Sequence, residues 1–265
     1  MRRESVGQSV LVAFLLCLVC SVLVSSAAVR LRPLQRANQE RQMQKNVLAV
    51  TGLYREGQPV AEQFEQVEME VVDLETGEFV DPDSLDREAY DPEAAPRDPE
   101  LSVPVPKESN IAGISRREKY AKVFLVRNDQ GELDQLVLPV RGKGLWSTMY
   151  GFLSLEPDFR TVRGITFYEH GETPGLGGEI QSETFRRQWK GKMVREPDGS
   201  ARFSFERGTV DPEDPAAKYK IDGIAGATLT TRGVVNMIRF WMGPMGFKSF
   251  LEKQKAAGGI SGPAA

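Results

Sequence analysis

The first pattern along the chain is an unbroken apolar run. Residues Ser9 to Val29 carry no charged side chain, and Gln8 and Arg30 bound them. The 21 residues of this run match the ~20 that a helix needs to cross a hydrocarbon core. A cleaved signal peptide competes, since Arg2 and Arg3 give a basic start and Ser26-Ala27-Ala28 imitates a cleavage site. The run exceeds the ~7–15 apolar residues of a usual signal core, which favours a retained anchor. The pattern therefore predicts a short tail over 1–8 and a transmembrane helix over 9–29.

Beyond the anchor, Pro33 to Val50 reads as a juxtamembrane helix with Pro33 in its first turn and Gly52 as its stop, within a segment 30–56. The alternation from Phe64 to Val71 fits an edge strand or a helix. Asp81 to Pro106 holds Pro82, Pro92, Pro96, Pro99, Pro104 and Pro106 and reads as unpacked linker in an acidic, Pro-rich region 57–110. After Ser115 the period becomes that of strands. Lys122–Arg127 and Leu136–Val140, joined through Asn128-Asp129-Gln130-Gly131, predict a hairpin. Trp146–Leu155 and Val162–Tyr168 are further strands, and Arg202–Phe205 and Tyr219–Ile221 are short ones. Ser182 caps a helix bearing Phe185 and Trp189, and Thr230 or Thr231 opens a helix through Val234, Val235, Ile238 and Trp241. Trp189 and Trp241 share those apolar faces and read as core. The expected fold class is α+β: an antiparallel sheet with packed helices over 111–251, preceded by the membrane helix and followed by a flexible tail over 252–265.

Composition narrows the chemistry. His170 is the sole His, and the two Cys, Cys17 and Cys20, both lie in the apolar run. A Ser-His-Asp triad would have to use His170, and a four-ligand Cys/His zinc site cannot be assembled. His170 itself reads as a strand-end residue. The net charge of −3 gives no nucleic-acid signal and hides a segregation. Between Glu62 and Glu100 there are 15 acidic residues against Arg87 and Arg97, a local −13 that leaves +10 elsewhere. A solvated insert explains this stretch; attraction of cations or a basic partner is the competing reading. Arg30, Arg32, Arg36, Arg41 and Lys45 follow the apolar run closely, which by the positive-inside rule would keep the following bulk in the cytoplasm. Large domains can cross despite such charge, so charge alone leaves the orientation open.

Three glycine-rich stretches fall in the strand-rich part: Gly142-Lys-Gly-Leu-Trp-Ser147, Glu172-Thr-Pro-Gly-Leu-Gly-Gly178 and Asp222-Gly-Ile-Ala-Gly-Ala-Thr228. None has Walker or dinucleotide spacing. Each alone is a turn by the ordinary role of Gly. The third passes from a short strand into a helix start, where unsatisfied amides suit an anion. Thr228 sits there, either as part of a cap or as a hydroxyl able to bear a phosphate. With no base beside it, such an attachment would call for a separate transferase.

In order, these stretches resemble the FMN-binding subunits of respiratory complexes. Asp222 to Thr228 is similar to their flavinylation motif, Glu172 to Gly177 to a second signature, and Gly142 to Ser147 with Tyr150-Gly151 to the C-subunit family of Na⁺-translocating NADH:quinone reductases. Ala225 departs from the Ser or Thr usual at its position. The resemblance implies FMN held by a phosphoester to Thr228 and installed from FAD by a Mg²⁺-dependent flavin transferase. Asp222 would be read by that enzyme, and Gly223, Gly226 and Ala227 would let the loop enter its cleft. Leu145, Trp146, Thr173 and Leu176 would line the flavin, with Glu172, Gly177, Leu229 and Thr230 also in the site. No catalytic residue and no metal ligand is implied. The further implications are an electron carrier in a six-subunit complex of a bacterial inner membrane, single-pass, with the flavin domain periplasmic and no nucleic-acid partner. The flavin-bearing G-type component of an Rnf electron transport complex, or a flavin-free anchored scaffold, are the alternatives. The 81–106 stretch holds no motif and is expected to be dispensable for flavin attachment.

Overall fold

Alternation on two faces builds the central sheet. In the computed structural model, which describes residues 6–87 and 89–260 with the side chain of Arg36 left aside, five strands pair antiparallel in the order β1-β4-β5-β6-β7. They are β1 (Val67–Asp73), β4 (Tyr120–Arg127), β5 (Leu133–Lys143), β6 (Thr148–Leu155) and β7 (Val162–Glu169). β2 (Ser102–Pro104) pairs antiparallel with β3 (Arg116–Glu118). β8 (Ser204–Glu206) and β9 (Lys220–Asp222) pair with each other in parallel, the one exception to the antiparallel plan among the described strands. The helices are α1 (Val6–Thr51), α2 (Val60–Phe64), α3 (Glu183–Arg187), α4 (Thr228–Trp241) and α5 (Lys248–Ala256).

One sheet face carries Val123, Leu125, Leu136, Leu138, Val140 and Leu153 into a core shared with Val234, Ile238 and Trp241 of α4 and Phe250 of α5. α4 lies over the end of β5. Gly233, Met237 and Trp241, one helical turn apart, meet Lys143, Gly142 and Arg141 in turn. A Cβ on Gly233 would stand 2.5 Å from the Lys143 carbonyl, one on Gly142 would stand 2.8 Å from the Met237 Cβ, and Trp241 Nε1 donates to the Arg141 carbonyl at 2.7 Å. Trp189 and Trp241 are fully buried, as core residues should be. α3 is a single turn capped by Ser182, whose Oγ accepts from the Phe185 amide, so Trp189 falls just past its end. The chain turns away there through Gly191 at φ 78°, which shortens the longer helix expected from Ser182.

The opposite sheet face is covered by segments expected to be separate from it. Residues 1–44 form one compact unit and residues 45–265 a second. The second unit therefore includes the last two turns of α1, Lys45 to Thr51. Val47 and Leu48 are buried, Gln135 Nε2 donates to the Thr51 carbonyl at 3.1 Å, and Ser154 Oγ donates to Gln135 Oε1 at 2.8 Å. Gly164 has no room for a Cβ because the Val50 carbonyl lies 2.6 Å from where it would stand. Phe64 of α2 meets Phe124 edge-on.

Four expectations change here. Pro33 does not open a new helix: α1 runs through it, and the carbonyl it leaves without a partner, that of Val29, lies at the end of the apolar run. Gly52 is the stop, at φ 77°. The sheet-bearing unit does not begin at 111, because β1 is one of its edge strands and is paired along its length with β4. Nor is 81–106 an unpacked linker. Tyr90 is buried with its hydroxyl donating to the Tyr120 carbonyl at 2.8 Å, Ala95 is buried, β2 pairs with β3, and Val105 joins the core. Its acidity is partly turn chemistry. Asp81, Asp86, Asp91 and Asp98 each accept a hydrogen bond from an amide two or three residues on. The tail expected over 252–265 begins as the end of α5. The expectations for residues 1–5 and 261–265 lie outside the described residues.

Candidate functional site

The three glycine-rich stretches converge on one buried carboxylate. Glu172 follows β7 and is 4% exposed. Its Oε1 accepts from the Trp146 amide at 3.0 Å, and its Oε2 accepts from the Thr230 hydroxyl in the first turn of α4. Burial alone would push this carboxyl up. The Thr230 hydroxyl and the amides of Trp146, Leu145 and Ser147 outweigh that and hold it below the usual Glu value. The Gly144–Ser147 loop, the 172–178 loop and the start of α4 are thus tied at one point.

Glycine makes this convergence possible by its size. A Cβ on Gly144 would stand 2.5 Å from Glu172 Oε1, and one on Gly177 would stand 2.6 Å from the Thr230 hydroxyl and 2.8 Å from Glu172 Oε2. Gly175 and Gly226 serve conformation instead, at φ 74° and 75°. A Cβ on Gly226 would touch Leu176 at 3.1 Å, so the second and third stretches also meet there.

The rim of this point is apolar and open. Outside α1, the large hydrophobic side chains exposed among the described residues are Ile111, Leu145, Trp146, Leu176 and Leu229. Four of these were expected in the site. Trp146, at 67%, is the most exposed. Ile111 joins them because the Lys143 amide donates to the Ala112 carbonyl at 2.7 Å, placing its loop beside the first motif. Single exposed apolar residues are ordinary, but their gathering about one set of loops marks a binding surface.

The hydroxyls at the α4 start differ in commitment. The Thr230 hydroxyl donates its hydrogen bond to Glu172. Thr231 accepts from the Ile224 amide at 3.1 Å and donates to the Ala227 carbonyl at 3.1 Å. No side chain caps the helix, whose first amides lack intrahelical partners. Thr228 is the first residue of α4 and half-buried, and its hydroxyl has no hydrogen-bond partner among the described residues. Thr173 and Ala225 are exposed. A residue set of this kind fits FMN: an apolar rim for a flat ring, a free hydroxyl, and helix amides facing an anion.

Other expected residues are turned to structural work. Asp222 accepts from the Val210 amide at 2.8 Å, and Gln188 brackets its backbone by accepting from the Asp222 amide at 2.6 Å. Gly223 abuts the Glu206 carbonyl, and Ala227 is buried. His170 follows the end of β7, and its Nδ1 accepts from the Glu172 amide at 3.2 Å. Sequence reasoning missed Gln188 and Gly233. A glycine inside the apolar period of a helix was a usable signal for Gly233; Gln188 offered none.

The FMN-binding domain family matches residues 144–243. The chain is 46% identical over 253 residues to the C subunit of the Na⁺-translocating NADH-quinone reductase of Pseudomonas aeruginosa, covering 94% of this chain and 96% of that one. It is 42% identical over 256 residues to the protein of the same name from Yersinia pestis, covering 95% and 94%. The crystal structure of Shewanella oneidensis NqrC superposes with a TM-score of 0.75 at 34% identity, covering 83% of this chain and 99% of that one. The crystal structure of the corresponding C subunit from Parabacteroides distasonis gives 0.62 at 26% identity, covering 83% and 96%.

Proposed function

Because the chain belongs to the C-subunit family of Na⁺-translocating NADH-quinone reductases, we propose that it carries FMN as a phosphoester on the Thr228 hydroxyl. It is a subunit of that oxidoreductase and has the family's FMN-binding domain. The observation that carries the proposal is the commitment of hydroxyls at the start of α4. Thr230 and Thr231 are engaged with protein partners, while Thr228 is not. Leu145, Trp146, Leu176 and Leu229 offer the apolar rim that a ring would cover.

When bound, the flavin supplies the redox chemistry; the chain supplies position and environment. The uncapped amides at the α4 start would hold the phosphate. Gly226 lets the loop turn sharply just before Thr228. The exposed loop around Ala225 leaves Thr228 within reach of a flavin transferase, the partner needed because no base adjoins the hydroxyl. The other subunits, six in all with this one, take and deliver the electrons. One helix of the chain, Val6–Thr51, is long and apolar enough to cross a membrane, and we place it in a bacterial inner membrane with the flavin domain periplasmic. The relatives from Pseudomonas aeruginosa and Yersinia pestis are both C subunits of the Na⁺-translocating enzyme, which favours this complex over the Rnf type.

Mass spectrometry of the Thr228 peptide, from cells holding the transferase, tests cofactor, linkage and residue together. The expected result is one FMN phosphoryl adduct, absent in Thr228→Ala and kept in Thr228→Ser. A flavin band that survives Thr228→Ala on denaturing electrophoresis overturns the assignment.

A further inference from the structure

We propose that Glu172 is the positioning residue of this site: its carboxylate latches the Gly144–Ser147 loop to the first turn of α4 and so fixes Leu145 and Trp146 relative to Thr228. The proposal rests on the reading that FMN sits at Thr228, and it gives that reading a mechanism for orientation.

Three observations carry it. First, Glu172 is buried, so it works on the protein beneath the rim and not as a surface contact to a ring. Second, its side-chain partners all donate. The Trp146 amide reaches Oε1 and the Thr230 hydroxyl reaches Oε2, with the Leu145 and Ser147 amides adding to the same field. An ionised carboxylate is acceptor-only, with about four lone-pair sites, which matches such a set. Third, two motif glycines leave room for this carboxylate specifically. Cβ atoms at Gly144 and Gly177 would strike Oε1 and Oε2. One glycine in each of two signatures, Gly144 and Gly177, is thus explained by the latch.

The loop has few other ties. The Gly144 amide donates to the Ser147 carbonyl at 2.8 Å, Ser147 Oγ accepts from the Gly171 amide at 2.5 Å, and Lys143 Nζ donates to the Trp146 carbonyl at 3.4 Å. The first closes the loop on itself and the third holds it to its own neighbour. Its hydrogen bonds to other parts of the chain run through Gly171 and Glu172, and of these Glu172 alone continues to α4, which otherwise meets the loop only where Gly233 packs on the Gly144 backbone.

Full-length protein in detergent, with and without its flavin, tests the latch. Amide exchange reads it directly. In Glu172→Ala the Trp146 amide should exchange at least tenfold faster, while the Gly191 amide, bonded to the Val162 carbonyl at 2.8 Å in a distant turn, should not change. Visible circular dichroism of the loaded protein reads flavin orientation and should change sign or collapse. Glu172→Gln keeps an acceptor for the Trp146 amide and can donate to the Thr230 oxygen, so it should restore both signals. Thr230→Val, which removes one bond only, should move both in the same direction by less; it serves if Glu172→Ala does not fold. Wild-type exchange at Trp146 in Glu172→Ala overturns the latch. Faster exchange with an unchanged flavin signal overturns the positioning role. If wild-type protein carries no flavin at Thr228, the underlying reading fails, and the exchange result in apo protein still decides the latch.

Discussion

At the scale of single residues, the site is governed by what small residues leave empty and by the charge that fills the space. Gly144→Ala and Gly177→Ala each put a Cβ inside contact distance of Glu172 and should cost about 1–3 kcal/mol, the usual penalty of overpacking. Gly191→Ala meets nothing within 4 Å and should cost only the backbone penalty of a positive φ, about 1 kcal/mol. Urea unfolding of the three variants separates the two causes. The acid limb of stability has a similar division. Glu172 is held below its ordinary value, so its contribution is present above the unfolded value near ~4.3 and is lost as pH falls through the folded one. Glu93 is the reverse. Burial raises it more than the Tyr168 hydroxyl lowers it, so its contribution is present below the unfolded value and lost as pH rises through the folded one. Unfolding measured against pH should therefore lose slope below ~4 in Glu172→Gln, and lose slope above ~4.3 in Glu93→Gln. The same changes in both variants would contradict this division.

At the scale of elements, the sequence carried most of what is local. The hairpin through Gly131, the strands β6 and β7, the Ser182 cap and the apolar stripe of α4 follow from period and turn chemistry, and each has its counterpart in the fold. The three glycine-rich stretches were visible as motifs, but their meeting point was not. Glu172 was expected in the site as one more flavin-side residue, because nothing in a sequence distinguishes a carboxylate that meets a ligand from one that receives a neighbouring loop. The 81–106 stretch was misread for a related reason. Proline density and charge describe how a segment is solvated and say little about an isolated Tyr90 or Ala95 that packs on a distant strand. The expectation of dispensability changes accordingly. Deleting 81–106 should uncover part of the sheet, remove β2 from β3 and take Val105 out of the core. The deletion should then lose cooperative unfolding and flavin attachment together, whereas Tyr90→Phe should cost about 0.5–1.5 kcal/mol for its one hydrogen bond and leave attachment unchanged. Calorimetry and the flavin band check both.

At the scale of the whole molecule, the question is where the anchor ends and the flavin-bearing unit begins. Hydropathy puts the boundary after Val29, and motif content would put it near 111. Packing puts it at Lys45. Val47 and Leu48 have no exposed surface in this unit, and burial of such a side chain contributes about 1.5–3 kcal/mol. Gln135 lies inside, and removing the Thr51 carbonyl leaves its amide with only the Asp134 carboxylate at 3.4 Å. Gly164 packs directly on the Val50 backbone. A fragment starting at Lys45 should therefore fold alone as a soluble monomer with one cooperative transition. A fragment starting at Gly57, behind the whole α1 helix, loses several kcal/mol by the same area argument. It also uncovers an apolar strip across the sheet centre, so it should aggregate or melt well below the longer piece. Equal melting temperatures for the two fragments would show that the last two turns of α1 are an ornament of the fold. A clear difference would make residues 45–51 a structural part of the flavin-bearing unit, packed on β5, β6 and β7, the strands whose ends carry two of the three site loops.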